Sequence, residues 1–79
     1  MSDMPVLARL LTGHIDEYCT ALQRAIEGAQ QARARLGESR VESSCASMDS
    51  THVWLCRGLD LWEEMMDLYQ ENGVAPAHG

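Results

Sequence analysis

The residues with the most chemical reach in this 79-residue chain are its three cysteines and three histidines. His52 and Cys56 stand four apart, one turn of a helix. Should the chain fold back on itself near residue 38, Cys19 falls within about a turn of Cys56 on the opposite helix. Two thiolates and an imidazole form a soft donor set suited to zinc or copper, and two neighbouring thiols can oxidise to a disulfide. Structural zinc normally announces itself through paired ligands at tight spacing, and that pairing is missing. Asp49-x-x-His52 is half of the carboxylate–histidine motif of di-iron bundles, without its second copy. The run Ser43-Ser44-Cys45-Ala46-Ser47 lines up hydroxyls and a thiol, but spacing fixes no base beside them. The glycines are scattered and build no phosphate-cradling loop. The expectation is therefore no enzyme, no cofactor and no metal. A metal-binding or redox-sensing hairpin using Cys19, Cys56 and His52 stands as an alternative.

The elements that position these residues are legible from periodicity. From Leu11, steps of four and three run through Ile15, Tyr18, Leu22, Ala25, Ala29, Ala32 and Leu36. A second series runs through Val41, Cys45, Met48, His52, Leu55, Leu59, Trp62, Met66 and Tyr69. Alternating three- and four-residue steps hold one helix face against a partner helix. Gly37 is placed to cap the first helix, Ser39 with Glu42 reads as a capping box opening the second, and Asp3 can cap the first helix ahead of Pro5. Asn72-Gly73 stops the second helix. The chain is thus expected to be one all-α domain over residues 1–79. It would be a long antiparallel two-helix hairpin, coiled-coil-like, with helix 1 over about 4–36, a turn at 37–39, helix 2 over about 40–72 and a mobile tail at 73–79. Facing residues then sum to about 77. Thr12-Gly13 and the segment 43–51, poor in helix formers, are the places where a helix could break.

Composition limits the partners. The chain is 46% hydrophobic and 23% charged, a globular balance. A net charge of −6 argues against direct nucleic-acid binding, which needs a basic surface. All six bases are arginines, a usage that points to a GC-rich bacterial genome or one of its phages. Arginines gather near the turn and acids near the open end. The amino terminus lacks the basic segment and long apolar core of a signal peptide, no apolar run approaches a membrane span, and an odd cysteine count fits reduced thiols, so a cytoplasmic location without membrane contact is expected.

So small a chain often needs a partner to complete a core. One residue before each stripe position lies a second apolar row: Leu7 and Leu10 on helix 1, with Trp54, Leu61, Met65 and Leu68 on helix 2. This row is expected to be the exposed interface, pairing two hairpins into a homodimeric four-helix bundle and receiving a second, unidentified protein. The function expected is non-enzymatic: a small regulator or inhibitor that binds another protein. An acidic mimic of nucleic acid, possibly phage-encoded, is a further alternative.

Overall fold

A computed structural model describes residues 4–74. Two helices account for nearly all of them: α1 (Met4–Gly37) and α2 (Val41–Glu71), packed side by side as an antiparallel hairpin. Asp3 and residues 75–79, where the sequence places a cap and most of a tail, lie outside the described residues. Gly13 does not interrupt α1, and residues 43–51 do not interrupt α2.

The turn is built differently from the capping pattern of the sequence. Gly37 remains helical, and Ser39 takes the left-handed conformation, with φ 61°. Ser39 N–H donates to Leu36 O at 3.0 Å and Arg40 N–H to Arg35 O at 2.8 Å. These are the two bonds of a Schellman motif, which satisfies the last carbonyls of α1. Ser39 is therefore the end of α1 rather than the cap of α2. The residue preceding α2 is Arg40, whose side chain makes no capping bond. The far end of α2 closes as expected: Gly73 has φ 72°, and Val74 N–H donates to Tyr69 O at 2.9 Å.

The lengthwise register agrees with the expected one; the rotation of the helices does not. Ser44 lies against Ala32, Thr51 against Ala25, and His14 against Glu64, so facing residues still sum to about 77. The seam, however, runs through Leu7, Leu11, His14, Tyr18, Ala21, Ala25, Gly28 and Ala32 of α1, all buried or half-buried. Its counterpart on α2 is Ser44, Ser47, Thr51, Trp54, Gly58, Leu61, Met65 and Leu68. Helix 2 is thus turned by one residue, about 100°, from the expected stripe. The expected stripe members Val41, Met48, Leu55, Leu59 and Trp62 are exposed.

Small side chains explain the choice. Near the turn, Ala25, Gly28 and Ala32 oppose Ser44, Ser47 and Thr51, so the backbones approach closely. A Cβ built on Gly28 would overlap Thr51 Oγ1. The buried hydroxyls of Ser44 and Thr51 are satisfied by carbonyls. Ser44 Oγ donates to Ala32 O at 2.8 Å across the interface, and Thr51 Oγ1 donates to Ser47 O at 3.0 Å with Ala25 O 3.3 Å away. A hydroxyl so placed carries no desolvation penalty from an unmade bond, so a row that looks polar in sequence is a workable seam. Toward the open end the seam becomes apolar, with Leu7, Leu11 and Met65 buried together and Tyr18, Leu68 and Tyr69 packed around them.

Candidate functional site: an exposed apolar face

The rotation of α2 moves the exposed apolar surface. Of the residues expected to form an interface, Leu7, Leu61 and Met65 are buried within the hairpin, and Trp54 and Leu68 are half-buried in the same seam. Only Leu10 is freely exposed. The row one residue after each seam position is instead the apolar one on α2.

Taking the seam as heptad positions a and d, the e positions of both helices are apolar without exception. On α1 they are Ala8, Ile15, Leu22, Ala29 and Leu36; on α2 they are Val41, Met48, Leu55, Trp62 and Tyr69. An apolar e row beside a packed a/d seam marks a helix that faces two neighbours rather than one. Each helix here has one. Ile15, Leu36, Val41, Met48, Leu55 and Trp62 are 40–65% exposed, and Ile26 and Leu59 beside them are 58% and 57% exposed.

In an antiparallel pair, a forward step on both helices turns toward the same side, so the two e rows merge. Two shallow depressions follow this side. One, of about 370 Å³, is lined by Tyr18, Leu22, Leu55, Gly58, Leu59 and Trp62. The other, of about 290 Å³, is lined by Leu22, Ala25, Ile26, Ala29, Thr51 and Leu55. Leu22 and Leu55 border both, so the depressions form one groove along the hairpin.

The opposite side is mainly polar. Arg57 lies 3.5 Å from Glu17, His14 Nε2 lies 3.4 Å from Glu64, and the Arg24 guanidinium sits 5.0 Å from the centre of the Trp54 ring. The hairpin therefore has one apolar side and one mainly charged side, on which Val6, Leu10 and Val53 are also exposed.

His52 Nε2 is 3.5 Å from Cys56 Sγ, as their spacing implies. Cys19, Cys45 and Cys56 are all free and exposed. Among the described residues, no three His, Cys, Asp or Glu side chains gather closely enough to hold a metal ion. His52 is exposed rather than buried in the seam.

The signal that could have located this face is the seven-residue repeat itself. Where a/d and e rows compete, greater apolarity does not identify the seam, because close packing favours small residues. No helix among the described residues is long and apolar enough to cross a membrane. No protein-family model, no curated protein and no solved structure matches the chain.

Proposed function

We propose that this chain is a protein–protein interaction module, a small regulator or inhibitor that works by laying its apolar face on a complementary helical protein surface. The observation that carries the reading is the pair of unbroken apolar e rows meeting in one groove, while the other side of the same hairpin is mainly polar. Contiguous exposed apolar surface on this scale marks an interface in soluble proteins. Size supports it too. The accessible surface is 6072 Å², against about 4,800 Å² for a compact monomer of this mass. The radius of gyration is 17.2 Å, against about 12 Å for a compact chain of this length. A rod of this kind lacks the second layer that completes a core. Reduced, unpaired thiols on the surface suit a cytoplasmic setting.

Photoreactive residues test the assignment. A crosslinking amino acid at Leu59, on the apolar side, should capture protein efficiently, and the same group at Val53, on the polar side, should not. Equal capture from both positions, or none from Leu59, overturns it.

A second reading has one observation in its favour. Residues 4–21 and 56–74, the open half of the hairpin, carry seven acids and two bases. Such a concentration could displace nucleic acid from a basic groove. Binding would then weaken steeply with salt, whereas apolar docking would not.

A further inference from the structure

Resting on the reading of the apolar face as a protein-binding surface, we infer that its occupant is a second copy of this chain, stacked face to face with turn over open end. The two-fold axis lies in the interface, perpendicular to the helices, at the level of Leu22 and Leu55.

The face is complementary to itself in this arrangement. A two-fold axis at that level lays α1 on α1 and α2 on α2, both antiparallel. Leu22 meets Leu22 of the second copy and Leu55 meets Leu55. Every other e position then meets an e position: Ile15 meets Ala29, and Trp62 meets Met48. Each large residue of the open half is paired with a smaller one of the turn half, so the layer between the hairpins has an even thickness. The residues bordering the groove at its centre, Leu22 and Leu55, are also those nearest the axis.

Charge chooses between this arrangement and its rival. Stacking turn over turn also aligns the e rows, pairing Ile15 with Trp62 and Ala29 with Met48, which wedges the layer. It also brings two open halves together, each with seven acids and two bases. Turn over open end instead sets each acidic half against a half, residues 22–55, that holds four bases and four acids. Most acids of the open half lie on the far side, but Asp16 and Glu63 sit one residue beyond the e rows, and only the rival sets Asp16 of one copy beside Glu63 of the other, a like-charge contact. An isologous two-fold pairing is also the commonest solution for a small chain with one sticky face.

The native cysteines make the geometry testable in the full chain. With Cys19→Ser and Cys45→Ser, only Cys56 remains. It sits on the outer side of α2, about one residue from the axis level. In the inferred dimer the two Cys56 residues are separated by little more than one interaxial distance, about 10 Å, and a short bismaleimide should join them. Turn over turn puts them at opposite corners of the bundle, beyond its reach. Three further variants, in a background lacking all three cysteines, extend the test. Leu22→Cys alone and Leu55→Cys alone should each oxidise to a covalent dimer, while Val53→Cys on the polar side should not. Helical circular dichroism checks that each variant folds. Should Leu22→Cys not fold, the Cys56 crosslink and sedimentation of the unaltered chain still decide. The expected sedimenting mass is twice the 8.8 kDa of the chain. Coupling of Leu22→Cys and Leu55→Cys only when the two are mixed would overturn the orientation. A monomer at high micromolar concentration, with no crosslink at Cys56, would overturn the second copy as occupant. In that case selective capture at Leu59 but not Val53 leaves the protein-binding reading standing, and its absence removes both.

Discussion

Three glycines lie inside α1, and replacing each by alanine separates the observed seam from its nearest rival. Gly13, Gly28 and Gly37 all occupy helical positions, where alanine is intrinsically better by about 1 kcal/mol. At Gly13 and Gly37 an added Cβ meets nothing within 4 Å. Gly13→Ala and Gly37→Ala should therefore each stabilise the chain by about 1 kcal/mol, a rise of several degrees in Tm for a protein of this size. At Gly28 the new Cβ would overlap Thr51 Oγ1 and come within 3.4 Å of Ser47 O. Thr51 is β-branched and its hydroxyl is held by the carbonyl of Ser47, so it has little freedom to move aside. Overpacking of this kind costs about 1–3 kcal/mol, which outweighs the helix gain and leaves a net loss of about 1 kcal/mol. Thr51→Ala in the same chain removes the obstructing hydroxyl and should restore most of that loss, so the two changes are strongly non-additive. Urea unfolding followed by circular dichroism, at matched protein concentration, measures all four variants. If Gly28→Ala is as stabilising as Gly13→Ala, the seam does not run past Gly28 and α2 does not turn Thr51 toward α1.

Other variants probe single contacts. Ser39→Gly should stabilise by about 1 kcal/mol, because an L-residue is disfavoured in the left-handed conformation that Ser39 adopts; a loss of stability in thermal melts would contradict the Schellman turn. Ser44→Ala removes the bond to Ala32 O across the buried seam and should cost about 1 kcal/mol, whereas Ser50→Ala, on the exposed polar side, should be within about 0.5 kcal/mol of neutral. Glu17→Gln should change stability by less than about 0.5 kcal/mol, since its partner Arg57 and the carboxylate are both well exposed; a larger effect at moderate salt would mean that water does not reach the pair freely.

The helices, their antiparallel order and their lengthwise register are legible in the sequence because all three follow from spacing and turn length. Which row faces inward is not. Val41, Met48, Leu55, Leu59 and Trp62 outrank Ser44, Ser47, Thr51 and Gly58 on any hydrophobicity scale. Yet the second set is buried, because Ser44, Ser47 and Thr51 oppose alanines and a glycine, because Gly58 lies against Tyr18 and Leu22, and because Ser44 and Thr51 find carbonyl acceptors. Interhelical distance and hydroxyl partners are three-dimensional facts, and no count of apolar letters contains them. Ranking rows by apolarity puts Leu7, Leu61 and Met65 outside when they belong inside, and puts the rows of the exposed face in the core. At the turn, Gly37 looks like the natural left-handed residue, but the two bonds that end α1 place Ser39 there.

The uneven seam also bears on how the chain folds. Near the turn it is held by close backbone approach and hydroxyl-to-carbonyl bonds. Its apolar cluster of Leu7, Leu11 and Met65 lies at the open end, joining segments about 58 residues apart, the costliest loop to close in this topology. Zippering from the turn therefore begins with weak rewards and meets the strong ones last. Substitutions at Ala32 or Ser44 should slow folding, and those at Leu7 or Met65 should chiefly speed unfolding. For the same reason the first two turns of α1, although farthest from the bend, are where a shortened chain would lose its persistence in the folded state.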